Sequence, residues 1–247
     1  MSDTLVLCYH AVSERFPAPL SVTPECLERQ LGTLLRRGFR GATFHEAVTR
    51  PGGRTLAVTF DDAYLSVLDL ARPVLDRLGV PATVFVPTDY PDRPDRAMAW
   101  PGIEQWIGGE HEHELRPMSW DQIGELADAG WEIGSHTRSH PHLTKVDDAR
   151  LEDELAGSRA VCEQRLGRPC LTIAYPYGDY DARIAEAAGR AGYEAAGTLP
   201  VKLSPRRALE WPRVGIYHGD DERRFALKVS RPLRALRATP LWPSRLA

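Results

Sequence analysis

The chain has 247 residues, of which 43% are hydrophobic, so it is long enough and apolar enough to bury one large core. Its formal net charge is -3, and 26% of its residues are charged, with both signs represented. A nucleic-acid backbone is neutralised by a large basic field, which this composition lacks, so we expect no nucleic-acid partner.

The first fifty residues predict one buried strand followed by two helices. The strand is the apolar run at residues 5–9. A threonine and Pro24 supply the N-cap and the first helical position of the first helix, which ends at Gly38. Thr43, with Glu46 three positions later, forms a capping box, which predicts a second and shorter helix.

The alternation of strands and helices continues to the C-terminal part of the chain. We predict strands over residues 55–60, 82–86, 131–134, 170–174, 193–196 and 213–217, and helices over residues 64–78, 119–130, 148–166 and 182–188, with a short helix from residue 221. This order indicates parallel strands covered by helices, in a sheet or a barrel. Between residues 87 and 117 the periodicity fails, which predicts a long loop of the functional or mobile kind.

The two ends of the chain suggest where the protein works. The N-terminus lacks the basic region and the cleavage site of a signal peptide, so we expect a cytoplasmic protein. Residues 228–247 carry five basic residues, three prolines and no acidic residue. We predict that this basic tail is a partly ordered terminus; the alternative is an amphipathic segment that rests on a membrane surface or on a partner.

Two adjacent carboxylates, Asp61 and Asp62, follow the predicted strand at residues 55–60 in the segment TFDDAY. The carboxyl ends of strands in parallel α/β folds are where functional sites assemble. Taken alone, the pair fits an N-cap aspartate with a solvated neighbour equally well.

Two histidines, His136 and His140, follow the strand at residues 131–134 in the segment HTRSHPHL. Their spacing of four predicts that one helical turn, stopped by Pro141, points both imidazoles the same way. Two neutral imidazoles and one carboxylate leave a coordination position open for water, which is the arrangement of a catalytic zinc site. Cobalt or nickel bind similar ligand sets.

The combination of TFDD-x-Y with HTRSHPHL resembles the polysaccharide deacetylase family, also called the NodB-homology or carbohydrate esterase 4 family. The resemblance spans residues 5 to about 217 and implies an incomplete or distorted (β/α)7-type barrel with parallel strands. It places a deacetylase-like domain at residues 1–227, followed by the basic tail at residues 228–247.

The resemblance also implies roles for the two motifs. The first motif of the family supplies a base followed by a metal-binding aspartate, so Asp61 is expected to be the base. Asp62, His136 and His140 are then the ligands of a divalent metal, with zinc preferred. The implied reaction removes the N-acetyl group from an acetylamino sugar in an oligosaccharide, a glycolipid or a glycoconjugate precursor.

A third segment, AYPYG, resembles the Arg-x-Pro-Tyr motif of the family, but Ala174 stands where the base-orienting arginine would align. Arg213, at a later predicted strand end, is a candidate substitute; the alternative for Arg213 is a surface salt bridge. We place Pro176, Tyr177 and Arg213 on the substrate-binding or oxyanion side of the site. The Tyr177 region is expected to offer a backbone N–H to the oxyanion, as in relatives.

The Leu-x-His motif that supplies the family's general acid is missing from its usual place, where His218 stands in the segment IYHG. We prefer His10, which ends the first strand in LCYH, over His218. Similar Tyr-His openings occur in a circularly permuted branch of the family, where that histidine takes the acid's part. The first and last predicted strands can be neighbours, which makes the exchange geometrically reasonable.

Two other classes of function stay open at this point. A metal-dependent amidase acting on a small non-sugar substrate would use the same site, as some relatives act on cyclic amides. A catalytically silent sugar-binding homologue is the second alternative, because two motifs deviate from the family pattern; the presence of both Asp61 and Asp62 argues against it.

Overall fold

The computed structural model describes residues 3–203, 206–240 and 242–243, and parallel strands form the centre of this fold. The strands are β1 (Asp3–Tyr9), β2 (Ala11–Val12), β3 (Ser21–Val22), β4 (Arg40–Ala42), β5 (Arg54–Phe60), β6 (Ala82–Val86), β7 (Glu132–Ser135), β8 (Thr172–Ala174), β9 (Ala195–Thr198), β10 (Trp211–Pro212) and β11 (Val214–Gly215). Strands β2 and β3 form a separate pair, and the others share one sheet.

Helices follow most of the strands and pack around the sheet. They are α1 (Pro24–Arg36), α2 (Phe44–Thr49), α3 (Arg72–Leu78), α4 (Trp120–Asp128), α5 (Asp148–Glu152), α6 (Ser158–Leu166), α7 (Ala182–Arg190), α8 (Glu222–Lys228) and α9 (Arg231–Arg237). The predicted capping box at Thr43 and Glu46 is formed, and so is a second one at Ser119 and Gln122. These caps fix where each helix begins, because they satisfy N–H groups that the helix itself leaves free.

The sheet closes on itself almost completely. Its strands follow the order β10-β9-β8-β7-β6-β5-β1-β11, and β4 pairs with the N-terminal part of β5. The two edge strands, β10 and β11, are consecutive in the chain, and only Arg213 separates them. The chain therefore passes directly from one edge of the sheet to the other. This nearly closed parallel sheet confirms the predicted (β/α)7-type barrel.

Two predicted helices are interrupted by π-helical turns. The predicted helix over residues 64–78 contains such a turn at Val67–Ala71, immediately before α3. Pro73 has no N–H to donate, so the regular hydrogen-bond ladder cannot continue through it. The predicted helix over residues 148–166 contains a second π-helical turn, at Asp153–Gly157, between α5 and α6. Neither interruption has a signal in the hydrophobic pattern, and the second one has a role in the site described below.

The described part of the predicted basic tail packs against the barrel. Arg234 in α9 is buried and donates to Asp3 Oδ1 at 2.7 Å and to the carbonyl of Val229 at 3.0 Å. Arg237 donates to the carbonyls of Val201 and Pro200, at 2.9 and 3.2 Å. Helix α9 is absent from the sequence prediction, because three prolines and scattered apolar residues mask its short periodic pattern. The rest of the tail, residues 241 and 244–247, lies outside the described residues.

Within the described ranges, no helix combines the length and the apolar character needed to cross a bilayer.

Candidate active site

The predicted site residues meet at the carboxyl-terminal rim of the barrel. His10 follows β1, Asp61 and Asp62 follow β5, His136 follows β7, and Tyr177 lies in the turn after β8. Neighbouring parallel strands end at the same rim, so side chains from separate parts of the chain converge there. The structure thus brings together the two motifs on which the sequence prediction depends.

Asp62, His136 and His140 form a compact, buried cluster. The Asp62 Oδ1 atom lies 3.4 Å from His136 Nε2 and 3.4 Å from His140 Nε2, and the two imidazole centroids are 4.8 Å apart. Each of the three side chains is at most 5% exposed. The three ligand atoms therefore face one small volume.

This geometry fits a divalent metal ion. Ligand distances of about 2.0–2.1 Å in a tetrahedral site put ligand atoms about 3.4 Å from each other. Asp62 Oδ1 is buried and accepts no hydrogen bond from the described residues, and such an atom is costly unless a cation satisfies it. His136 Nδ1 lies 2.8 Å from the carbonyl oxygen of Ala174, which fixes the proton on Nδ1 and leaves the Nε2 lone pair toward the cluster.

The charges around the cluster also suit a cation. Burial lowers the pKa of His140 to about 3, so this imidazole is neutral near pH 7. Burial raises the pKa of Asp62, but the neighbouring imidazoles of His136 and His140 outweigh it, so the net shift is downward. Burial lowers the pKa of His136, but the negative charges of Asp61 and Asp62 more than compensate, so the net shift is upward; a bound cation would balance these same charges.

Strained backbone marks this part of the barrel. Within the described ranges, all non-glycine residues with positive φ belong to the loops of the site: Asp62 (71°), Ala63 (53°), Thr137 (65°), His140 (58°) and Tyr177 (60°). Each such residue costs on the order of 1–3 kcal/mol and persists only where its surroundings fix it. Such clustering is typical of functional sites.

The predicted helical turn between His136 and His140 is wrong, although the two imidazoles do converge. Thr137 and His140 adopt left-handed conformations, so the segment is an irregular loop. Glu154 Oε2, on the π-helical turn Asp153–Gly157, accepts from the backbone N–H groups of Arg138 at 2.9 Å and Ser139 at 3.0 Å. A buried carboxylate thus satisfies two backbone N–H groups of this irregular loop.

Arg213 holds the predicted base in place. Its Nη1 donates to Asp61 Oδ1 at 2.6 Å and its Nη2 donates to Asp61 Oδ2 at 2.8 Å, a bidentate pair. The Arg213 side chain is 0% exposed, which excludes the alternative of a surface salt bridge. It also corrects the expectation that Arg213 lies on the substrate or oxyanion side, because a fully enclosed guanidinium touches the base and not a bound sugar. Arg213 makes with Asp61 the contact that the missing motif arginine is expected to make.

The charge of Arg213 controls the ionisation of Asp61. Burial raises the pKa of this carboxyl, but the guanidinium charge and its two hydrogen bonds outweigh burial and hold the pKa well below its ordinary value. Asp61 is therefore a carboxylate at any pH at which the protein would work.

Of the two candidate acids, the structure brings only His10 to the site. Its Nε2 lies 3.9 Å from Asp61 Oδ2, and its buried Nδ1 has no hydrogen-bond partner in the described part of the chain. His218 is exposed, and its backbone N–H donates to the carbonyl of Pro19. Burial lowers the pKa of His10, although the charges of Asp62 and Asp61 oppose this shift.

Sequence reasoning missed two contacts of the site. The Cys8 thiol donates to Asp61 Oδ2 at 3.3 Å, and in the sequence only its place two residues before His10 could have indicated this contact. The Trp100 ring stacks on the His140 ring at 4.2 Å, from the long loop that lacks any periodic signal.

Tyr177 forms the accessible edge of the site. Its side chain is 37% exposed, its ring stacks on His142 at 4.1 Å, and it contacts His140 edge-on at 4.6 Å. Pro176 is buried in the same turn. A ligand that enters this rim therefore meets the Tyr177 ring beside the buried cluster.

Comparisons with known proteins agree with this arrangement. The profile of the family described as polysaccharide deacetylase matches residues 49–196. The chain is 28% identical over 199 residues to the Bacillus subtilis protein named "Putative polysaccharide deacetylase YxkH", covering 78% of this chain and 63% of the relative. It is 26% identical over 134 residues to the Staphylococcus aureus poly-beta-1,6-N-acetyl-D-glucosamine N-deacetylase, covering 51% of this chain and 41% of the relative.

Among solved structures, the fold is similar to that of the Streptococcus pyogenes deacetylase PplD in complex with acetate. The TM-score is 0.76 at 21% identity, with 93% of this chain and 99% of that chain covered. At this identity the likeness concerns the fold alone. The profile match covers more than half of the chain and includes both motifs, so the chain belongs to the polysaccharide deacetylase family.

Proposed function

We propose that the chain is a metal-dependent carbohydrate N-deacetylase, which hydrolyses the N-acetyl group of an acetylamino sugar. The observation that carries this proposal is the cluster of Asp62, His136 and His140. The ion pair of Asp61 with Arg213 lies beside this cluster. Zinc suits two imidazoles and one carboxylate best, and cobalt or nickel are accepted by similar sets. Such an ion, when bound, makes a water molecule more acidic and polarises the acetyl carbonyl.

Asp61 acts as the general base. It accepts the proton of the attacking water at Oδ1, which keeps lone-pair capacity beyond its bond to Arg213, whereas Oδ2 also accepts from the Cys8 thiol. The bidentate pair fixes the orientation of the carboxylate and keeps it ionised. General-base assistance of this kind is typically worth about 10²- to 10⁴-fold in rate.

His10 acts as the general acid. An amine leaves poorly as an anion, so the sugar nitrogen has to be protonated as its bond to the acetyl carbon breaks. The His10 imidazole lies at the same rim as Asp61, within 3.9 Å of it, and is buried from bulk water. The backbone at Tyr177 supplies a hydrogen bond to the oxyanion.

The substrate class follows from relatives and from the rim. The Staphylococcus aureus relative is named for a poly-N-acetylglucosamine, and this chain spans less than half of that protein. The exposed Tyr177 ring offers a flat apolar face next to the cluster, which suits the apolar face of a sugar ring. We propose an acetylamino sugar in an oligosaccharide, a glycolipid or a glycoconjugate precursor.

Metal analysis and acetate release together test this function. The wild-type protein should bind a divalent ion and release acetate from N-acetylglucosamine oligomers. Asp61→Asn should keep the metal and lose about 10²- to 10⁴-fold in turnover, whereas His136→Ala should lose both. The matched control is His113→Ala, whose side chain is 63% exposed in the long loop and should change neither. Retention of metal and acetate release in His136→Ala would show that the ligand assignment is wrong.

A further inference from the structure

A cavity of about 420 Å³ lies between helices α8 and α9 and the segment that follows β9. We call it the C-terminal pocket. Its apolar walls include the side chains of Leu199, Val201, Tyr217, Leu227, Leu233 and Trp242. A volume of this size and apolar walls of this kind are typical of small-molecule sites.

The C-terminal pocket is next to the active site. Its wall residue Leu199 packs against the turn that carries Tyr177: a Cβ atom added to Gly178 would lie 2.9 Å from the backbone nitrogen of Leu199. The ring of Tyr177 in turn contacts His140, a member of the metal cluster. On the other side, Gly215 of the pocket is only two residues after Arg213. The pocket wall and the turn that carries Tyr177 are therefore in direct contact.

Exposed apolar side chains concentrate on the helices that form the pocket. Leu227 in α8 is 61% exposed and lines the pocket. Leu236 in α9 is 46% exposed and is not a lining residue. In the described part of the chain, the other large exposed hydrophobic residues are Ile107 and Tyr177, and Tyr177 belongs to the active site. An apolar cavity beside exposed leucines fits a hydrocarbon better than a polar glycan.

The rim of the pocket carries excess positive charge. Its basic lining residues are Arg224, Lys228 and Arg237, and its acidic lining residue is Asp220. Lys228 pairs with Asp220 at 2.5 Å, which leaves the two arginine charges uncompensated by any carboxylate that lines the pocket. Arg224 is exposed, and its Nη1 donates to the carbonyl of Gly219 at 3.0 Å, which leaves its Nε and Nη2 donors without a partner among the described residues. Such a rim complements a phosphate group.

We propose that the C-terminal pocket binds the hydrocarbon chain of a phosphate-linked lipid that carries the acetylamino sugar. The hydrocarbon chain of the lipid lies on the apolar walls, and its phosphate pairs with Arg224. The sugar reaches the active site past Tyr177. This inference rests on the proposed deacetylase function and specifies its substrate class as a lipid-linked acetylamino sugar. Inorganic phosphate alone would leave the apolar walls unused, and a free alcohol would leave the cationic rim unused.

Binding of farnesyl phosphate tests the pocket without any requirement for catalysis. Titration calorimetry below the concentration at which this lipid aggregates should give saturable binding to the full chain. Farnesol and inorganic phosphate should each bind at least about tenfold more weakly. Leu227→Glu and Arg224→Gln should each weaken farnesyl phosphate binding by about tenfold or more. Their matched controls, Leu236→Glu and Arg223→Gln, alter exposed residues that do not line the pocket and should leave binding unchanged.

A catalytic comparison connects the pocket to the reaction. The kcat/KM for acetate release should be at least about tenfold higher for farnesyl-phosphoryl N-acetylglucosamine than for methyl N-acetylglucosaminide. This preference should disappear in Leu227→Glu and persist in Leu236→Glu, while turnover of the methyl glycoside stays constant in both.

The outcomes separate the two proposals. Equal weakening of farnesyl phosphate binding in Leu227→Glu and Leu236→Glu would indicate general adsorption to the surface. That result would overturn the proposal for the C-terminal pocket. So would the absence of farnesyl phosphate binding in a protein that still releases acetate from water-soluble oligomers. A protein that binds farnesyl phosphate in the pocket but releases no acetate from any substrate would instead contradict the proposed deacetylase function.

Discussion

Arg213 donates two hydrogen bonds to Asp61, at 2.6 and 2.8 Å, from a position 152 residues later in the chain. Arg213 is also the residue that separates the two edge strands of the sheet. The same residue therefore lies where the sheet nearly closes and orients the Asp61 carboxylate. The family motif places its arginine after another strand, where this chain has Ala174. A bidentate pair can be supplied from either strand end, because both lie at the same rim.

Replacement of Arg213 should change both the rate and its pH dependence. Arg213→Met leaves Asp61 without its orienting donors, and misplacement of a catalytic group by about 1 Å can cost about 10²-fold. The pKa of Asp61 then rises, because the guanidinium charge and its hydrogen bonds no longer oppose burial. Because the base works only when ionised, the ratio of kcat at pH 5.5 to kcat at pH 7.5 should be lower in the variant than in the wild type.

The control for this experiment is Arg207→Met, whose side chain is 72% exposed and pairs with Glu210. It should preserve the rate and the pH profile. Metal content should stay at the wild-type level in both variants, since neither arginine contacts the cluster. An unchanged pH ratio in Arg213→Met would contradict the role of this charge in keeping Asp61 ionised.

Gly197 in β9 should act on the base through Arg213. A Cβ atom at this position would lie 2.7 Å from Nε and 2.9 Å from Cδ of Arg213, so Gly197→Ala has to displace the arginine. We expect kcat to fall by at least about tenfold with metal content unchanged. Gly124→Ala in α4 is the control, because a Cβ atom there meets nothing within 4 Å. That change should leave activity intact and stabilise the helix by about 0.4–1 kcal/mol, measured by thermal unfolding.

If Gly197→Ala loses metal together with activity, the displacement extends to the cluster and the proposed route through Arg213 is wrong. If it keeps full activity, the arginine has room to move without loss of the base orientation.

Local patterns predict the strands and the two principal motifs. Apolar runs predict the bounds of β1, β5 and β6 closely. Because functional sites assemble at the carboxyl ends of parallel strands, the sequence also predicts that Asp61 and Asp62 lie at the rim. The histidine pair follows β7 by the same rule. These predictions succeed because each depends on a few consecutive residues.

Features that depend on distant contacts could not be predicted in this way. The bidentate contact joins Asp61, which follows β5, to Arg213, which lies between β10 and β11. The sequence alone does not indicate that these two residues are close in space. The irregular loop between His136 and His140 depends on a carboxylate from a π-helical turn. Helix α9 is held by Arg234 on Asp3, at the other end of the chain.

His10 and His218 can be distinguished by the leaving group of the substrate. His10→Asn should reduce release of acetate from an N-acetylated sugar by about 10²- to 10⁴-fold, because the amine then leaves without a proton donor. Hydrolysis of nitrophenyl acetate should fall much less, since its leaving group departs as a stable anion. His218→Asn, at an exposed position, should leave both rates unchanged. Equal losses on the amide and on the ester in His10→Asn would argue against an acid role.

Glu154 should set the metal affinity without touching the metal ligands. Its Oε2 accepts from the backbone N–H groups of Arg138 and Ser139, and its Oε1 accepts from the Ser139 hydroxyl at 2.5 Å. These bonds hold the loop in which Thr137 and His140 adopt strained conformations. Without these hydrogen bonds, the loop is free to relax, and the His140 imidazole moves away from Asp62 and His136. Loss of a supporting contact around a metal site typically costs about 10- to 100-fold in affinity.

We therefore expect Glu154→Ala to bind zinc about 10- to 100-fold more weakly than the wild type, measured by competition with a chromophoric chelator. Glu154→Gln should recover much of the affinity, because its amide oxygen still accepts one of the loop hydrogen bonds. Glu152→Ala is the matched control, since that residue is exposed on the same helical stretch. A merely structural role would lower the unfolding temperature of Glu154→Ala and leave the zinc affinity of its folded form intact, and that result would contradict the assignment.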